Sequence, residues 1–347
     1  MRWSYNLERS YETAIWLFAV AFLVFCLVVV GGATRLTGSG RSITEWDPIL
    51  GVIPPLSDQA WQSAFHKYQQ IPQYHFVNSG LNLDGFKVLF WWEWAHRLLA
   101  RLVGAAFAIP FAVLLFMRAI PKRLIWRCWV LFGIGALQGL VGWWMVKSGL
   151  EKAVLVAPQR LAIHLGMALL LLSGAVWTGL EAWFGRGRTS FGAEPRWRLW
   201  TALLAVGAYC QCLMGALVAG NQAGRVYNDW PLMNGKLFPS DYQTPGHGVR
   251  WAWLHSQAAT QFDHRLVAYL LAIAVFGLAF EVTRARGVAQ PVRRTVYWLA
   301  ALVMAQIALG VATLRFGAPL GFALAHQALA VGVLFWALLL AWRTPRN

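Results

Sequence analysis

The sequence predicts an all-α membrane protein, with eight transmembrane helices arranged as two tandem, pseudo-symmetric four-helix bundles. Three observations carry that reading. Of 347 residues, 58% are hydrophobic and 13% charged, with a mean hydropathy of +0.50, far from the roughly even mixture of a water-soluble domain. Apolar runs of spanning length recur eight times. The second half of the chain also repeats the first, histidine for histidine.

The runs lie at 13–36, 91–117, 124–147, 159–183, 198–219, 262–283, 294–314 and 320–342. Each is near the ~20 residues that cross ~30 Å of hydrocarbon. Lipid offers the backbone no hydrogen-bond partners, so such runs must be helices. The first could be a secretory signal, with Gly31-Gly32-Ala33 as a small-residue cleavage site. Its length and its repeat partner at 198–219 instead predict a retained span. The second span carries Glu93, His96, Arg97 and Arg101, the fourth His164, the sixth His264 and Arg265, and the eighth His326.

The repeat covers more than the histidines. Trp94-Ala95-His96-Arg97-Leu98 reads like Phe262-Asp263-His264-Arg265-Leu266, and Ala162-Ile163-His164-Leu165 like Leu324-Ala325-His326-Gln327. Gly31-Gly32-Ala33 with Gly40-Arg41 matches Gly215-Ala216-Leu217 with Gly224-Arg225. Glu45-Trp46 matches Asp229-Trp230, and Gln138-x-x-x-Gly142 matches Gln306-x-x-x-Gly310. The chain therefore divides into an N-terminal half, 1–190, and a C-terminal half, 191–347. An even number of spans separates equivalent positions, so the halves are expected to be related by an axis along the membrane normal. Gly104, Gly142 and Gly310 read as close-packing positions between helices.

The net charge of +16 is distributed as a topology signal. The two termini and the loops near 118–127, 184–198 and 284–294 hold 16 Lys and Arg against 5 acids, and the much longer opposite loops hold 11 against 7. The positive-inside rule places the first set in the cytoplasm. The excess also favours anionic lipid, and no basic stretch has the context of a nucleic-acid site.

Ionisable groups inside hydrocarbon are functional candidates by default, and imidazole is a common axial ligand of haem iron. His96 with His164, and His264 with His326, fall roughly 5–10 Å below the outer surface by their distance from the span ends. Two facing helices at one depth can offer an imidazole to each face of a porphyrin, so the pattern points to two haem sites. His66, His75, His247 and His255 lie in the long outer loops without repeat partners and read as solvated. Cys26, Cys128, Cys210 and Cys212 all fall inside spans, and there is no CxxCH for covalent haem attachment.

Glu93 precedes His96 by three residues and shares its helix face. The equivalent position in the second half is Gln261, so one half has a carboxylate and the other a neutral amide. The Glu reads either as a first-turn residue favoured by the helix dipole or as an acid–base group. Arg97, Arg101 and Arg265 are candidates for haem propionates, with snorkelling to the interface as the alternative for Arg97 and Arg265.

Four segments carry a family resemblance over nearly the whole chain: Gly-Ser-Gly-Arg-Ser-Ile-Thr-Glu-Trp-Asp-Pro (38–48), Gly-Val-Ile-Pro-Pro-Leu (51–56), Trp-Trp-Glu-Trp-Ala-His-Arg (91–97) and Gln-Phe-Asp-His-Arg-Leu-Val-Ala-Tyr (261–269). With them the sequence resembles the heme A synthase family, in the class found in mitochondria and many Gram-negative bacteria. The resemblance implies an oxidoreductase of the bacterial inner membrane. It would convert the C8 methyl of haem O to a formyl group, giving haem A for terminal cytochrome oxidase. It further implies that His264 and His326 ligate a resident haem b, that His96 and His164 flank the substrate haem O, and that Glu93 is the catalytic glutamate. Some members carry a cysteine pair in the outer loops, and this chain has none there, which leaves the electron-transfer partner open. Membrane lipid, the haem O substrate and a haem O synthase are the expected partners, and self-association into a homo-oligomer is left open. The competing readings are a diheme b-type electron-transfer cytochrome and a membrane haem transporter or chaperone.

The charge pattern makes a direct prediction of topology. A reporter fused at residue 347 should be active only as a cytoplasmic fusion, and reporters placed within 37–90 or 220–260 only as external ones. A C-terminus found outside would refute the orientation.

Overall fold

The computed structural model describes residues 9–48, 50–150, 154–185, 196–243 and 246–344. The expected boundary between halves at 190/191, and the basic residues Arg2, Arg186, Arg188 and Arg346, lie outside the described residues. Among those described, the fold is all-helical, with α1 (Tyr11–Leu36), α2 (Asp58–Gln69), α3 (Pro72–Phe76), α4 (Leu83–Phe116), α5 (Lys122–Lys147), α6 (Pro158–Phe184), α7 (Arg196–Gly220), α8 (Val249–His255), α9 (Gln257–Arg284), α10 (Gln290–Arg315) and α11 (Leu320–Arg343). Eight of them, all but α2, α3 and α8, are long and apolar enough to cross a membrane. The chain is a multi-pass membrane protein.

The spans pack by neighbour. In the first half α1 touches α4 and α6, and α5 touches α4 and α6. In the second, α7 touches α9 and α11, and α10 touches α9 and α11. Between the two sets, α6 meets α7, α1 meets α11, and α6 meets α11. The core along these contacts is almost purely aliphatic and aromatic, including Leu17, Val24, Leu169, Ala175, Leu299 and Leu334. Large apolar side chains on the outer faces, such as Phe22, Ile109, Leu199 and Ile273, stay exposed, as a lipid-facing surface requires.

Pro110 lies inside α4. A proline lacks the N–H that would bond the carbonyl four residues back. That carbonyl belongs to Ala106, and the Trp16 indole of α1 donates to it at 2.9 Å. The Trp16 ring packs edge-on against Phe107 and stacks on Phe111. One broken rung in α4 thus fixes how α1 seats against it.

The second span differs from its expected range. It starts at Leu83 instead of 91, because Asn82 caps it by accepting from the Gly85 amide at 2.9 Å. The helix runs 34 residues, about 51 Å at ~1.5 Å per residue. Its first turns carry Phe86 and Phe90 into a separate small core with Phe65 and Tyr68 of α2 and Ile71, the residue before α3. Segment 57–82 is therefore a packed cap on the first turns of α4. In the second half, the Tyr242 hydroxyl donates to Asp263 of α9. Burial, with that carboxylate beside it, pushes the phenol up to about 12, so it stays a donor at all ordinary pH.

Truncating a fully buried aromatic costs ~3–5 kcal/mol. Phe86→Ala should therefore loosen this cap selectively. Limited proteolysis is expected to cut within 57–82 much sooner than in the parent, while the eight spans remain inserted.

Candidate functional site

Each span histidine is seated against a glycine of a neighbouring helix. A Cβ built on Gly31 of α1 would lie 3.0 Å from His96 Nε2 on α4, and one on Gly142 of α5 would lie 2.9 Å from the His164 ring on α6. The second half repeats this, with Gly215 of α7 against His264 of α9 at 3.4 Å and Gly310 of α10 against His326 of α11 at 2.8 Å. Any side chain at Gly31, Gly142 or Gly310 would push an imidazole aside. The same four glycines lie five residues before the last residue of their helices. The four seats therefore share one register, about one and a half turns from the helix ends on the side that carries segments 37–82 and 221–248. Gly142 and Gly310, expected as helix-packing positions, instead make room for imidazoles. Gly104 faces nothing within 4 Å.

The histidines interact in the expected pairs. His96 lies within electrostatic range of His164, and His264 of His326. Their helices, α4 with α6 and α9 with α11, sit diagonally in each ring of four. Nδ1 of His164 and of His326 is buried without a protein hydrogen-bond partner.

Glutamines hold the turns that carry three of the histidines. Gln138 donates to the His164 carbonyl at 2.8 Å, Gln306 to the His326 carbonyl at 3.0 Å, and Gln211 to the His264 carbonyl at 2.9 Å. The Gln211 carboxamide nitrogen also lies 3.0 Å from His264 Nδ1. In each case the glutamine stands four residues before the seating glycine, one turn away on the same face. The position before Gly31 is Leu27. Gln211 was missed from sequence because comparing the halves sets it against that leucine. The signal that finds it is the Gln-x-x-x-Gly spacing shared with α5 and α10.

Glu93 is 3% exposed and accepts four hydrogen bonds. Oε1 takes Arg97 Nε at 3.1 Å and Nη2 at 2.7 Å, and Oε2 takes the Ser42 hydroxyl at 2.9 Å and the Ile43 amide at 2.8 Å. Below it Arg97 donates to the carbonyls of Ile43 and Glu45, and Arg101 to those of Asp47 and Pro48. Glu93, Arg97 and Arg101 thus form a ladder at one-turn spacing that lays segment 42–48 down the side of α4. Trp46 on that segment stacks on Trp143 of α5 at 5.9 Å.

The second half builds the same ladder without the charge. Gln261 donates to the carbonyls of Ala223 and Val226 at 2.8 and 2.7 Å, and its oxygen accepts from Arg265. Arg265 reaches the carbonyls of Tyr227 and Leu232. The first loop presents donors to position 93 and the second presents acceptors to position 261, which is why one is a carboxylate and the other an amide. Arg101 Nη1 and Arg265 Nε are buried without a partner, and Arg97 is engaged at all three nitrogens.

The loop histidines take no part. His247 stacks on Trp251 at 4.1 Å, and His75 packs edge-on against Tyr74. Of the cysteines, Cys128 is buried and Cys210 exposed on the outer face of α7, and all four are free thiols.

Fold and site together define a class: a multi-pass membrane protein with four histidines in its spans, each seated against a glycine of a neighbouring helix. The model of the COX15-CtaA family, cytochrome oxidase assembly proteins, matches residues 14–338, and the chain belongs to that family. It is 52% identical to the heme A synthases of Caulobacter sp. (strain K31) and Caulobacter vibrioides, over 98% of each chain. It is 46% identical to that of Rhodopseudomonas palustris (strain BisA53), over 94% of this chain and 89% of the relative.

The ladder makes a stability prediction. Removing one partner of a buried ion pair strands the other and costs ~3–5 kcal/mol. Arg97→Ala should therefore lower the thermal midpoint in detergent more than the double variant Arg97→Ala with Glu93→Gln, which leaves no stranded charge.

Proposed function

We propose that the chain is a heme A synthase, an oxidoreductase acting on haem O that takes its C8 methyl group to a formyl group. The observation that carries this reading is the set of four glycine-seated histidines, paired and level, in a chain half identical to proteins of that name. The halves 1–190 and 191–347 are read as two four-helix bundles. Exchanging them turns the α6–α7 contact into α11–α1 and leaves α6–α11 unchanged, as a two-fold axis demands. Both termini are assigned to the cytoplasmic side of the inner membrane.

In this reading His264 and His326 hold a resident haem b, and His96 and His164 hold the substrate haem O. Haem, when bound, would supply a redox-active iron. The chain supplies the rest. His164 and His326 each keep a buried ring nitrogen without a protein partner, and the glycine seats would hold the imidazoles in place toward the iron. Arg101 Nη1 and Arg265 Nε are the buried donors open to propionates. Arg97 acts as the clasp of segment 43–45. Glu93 lies one turn outward from His96. Its Oε1 pairs with Arg97 and its Oε2 accepts from Ser42 and Ile43, which fixes where its carboxylate stands beside the first-half site.

The level placement argues against an electron-transfer cytochrome, which works best with haems at different depths. A carrier would need no carboxylate beside one site alone.

Pigment extraction with mass analysis tests the assignment. The purified protein should yield haem b together with haem O or haem A. His264→Ala and His326→Ala should each abolish the low-spin haem b spectrum, and the corresponding changes at His66, His75, His247 and His255 should not. Loss of a general acid–base group typically lowers rate by ~10²–10⁴-fold. Glu93→Gln is accordingly expected to stop haem A formation while haem b content holds. Equal loss of both would make Glu93 a structural clasp only, and near-normal haem A output would remove it from the site.

A further inference from the structure

The seat of His96 is braced from the other half of the molecule. Gln327 follows His326 on α11, and its carboxamide crosses the seam to donate to the Val28 carbonyl of α1 at 2.6 Å. Inside a helix that carbonyl belongs to the amide four residues on, which is Gly32. The glutamine reaches it only because Gly32 has no side chain: a Cβ there would fall 2.2 Å from Gln327 Oε1. The next residue back, Gly31, is the wall against which His96 rests. A short path of contacts therefore runs from His326 through Gln327 and the 28–32 turn of α1 to His96.

The brace is one-sided. The repeat partner of Gln327 is Leu165, which has no carboxamide. The partner of Gly32 is Ala216, whose Cβ would block an equivalent approach. Across the matching part of the seam the contact is steric, with Gly166 of α6 against Leu213 and the Tyr209 hydroxyl of α7. His96 is also the one span histidine whose neighbouring helix has a leucine, Leu27, in place of the Gln four residues before its seat.

We infer that Gln327 is a positioning residue for the first-half site: from the helix that carries His326 it sets the α1 wall that orients His96. His96 lacks a glutamine clamp of its own, so its seat depends on this contact, which has no counterpart at the second-half seat. The inference rests on the haem reading above, where the linked sites are those of resident and substrate haem. A contact behind a ligand that fixes its ring plane would register in the spectrum of the iron once bound.

The test uses the full chain in detergent, depleted of haem and titrated with protohaem, and follows the oxidised low-spin signals by electron paramagnetic resonance. The His264/His326 signal is identified as the one that survives His96→Ala. In Gln327→Leu, which copies Leu165, the His96/His164 signal should shift and its protohaem affinity fall about fivefold or more, within the usual span of coupling between sites. The His264/His326 signal should stay in place. Gly32→Ala should act alike from the opposite side of the contact, and the double variant should be no worse than either single one. Gly166→Ala, which disturbs the matching seam contact, should leave the His96/His164 signal unchanged. An unmoved first-half signal in Gln327→Leu and Gly32→Ala, an equal shift in Gly166→Ala, or joint loss of both signals in Gln327→Leu would each overturn the inference. Absence of both signals from the parent protein would instead overturn the haem reading itself.

Discussion

A polar group inside hydrocarbon has no water to turn to, so it must find its partner within the protein. Most of the specific geometry here follows from that constraint. The carbonyl freed by Pro110 is taken by Trp16, and the carbonyls of three histidines are taken by Gln138, Gln211 and Gln306. Individually such bonds are modest, ~0.6 kcal/mol on average between membrane helices. Their effect is to remove freedom: a helix whose carbonyl is claimed by a neighbour can neither rotate nor slide without stranding a dipole.

Position 93 and its counterpart 261 illustrate how the same constraint yields asymmetry. Each sits at the top of a ladder that lays a loop against the second helix of its half. Where the loop offers a hydroxyl and an amide, the sequence places a carboxylate; where it offers two carbonyls, it places an amide. The charge difference that points to one working half is thus written twice, once on the helix and once on the loop facing it. A single substitution at either place leaves a mismatched pair.

The eight spans were legible because twenty apolar residues in a row have few alternatives, and the histidines because imidazole is rare and costly in that setting. The boundary of α4 was not. Hydropathy marks where a segment enters lipid, whereas Asn82 and the packing of Phe86 and Phe90 decide where the helix starts. Short α2, α3 and α8 carry too few turns for a clear period, and their amphipathic faces dissolve into loop composition. The repeat revealed matched residues and concealed unmatched ones: Gln211 and Gln327 face Leu27 and Leu165 in the other half, so comparison passed over both. Two of the bracing glutamines of this protein thus lie where its halves differ.

The uniform offset of the seating glycines, five residues from each helix end, has a consequence for how the chain can change length. Each residue added within a helix turns everything beyond it by about 100° and lifts it ~1.5 Å. One insertion between a glycine and the end of its span would leave the glycine in place but reorient the loop hanging from it. One insertion before the glycine would carry the seat itself to a different face. Variation in length is therefore confined to the segments between spans, and the spans can be exchanged or repeated only as whole units with their ends in phase. Copying an entire four-helix block preserves that phase automatically, and a partial copy would scramble it.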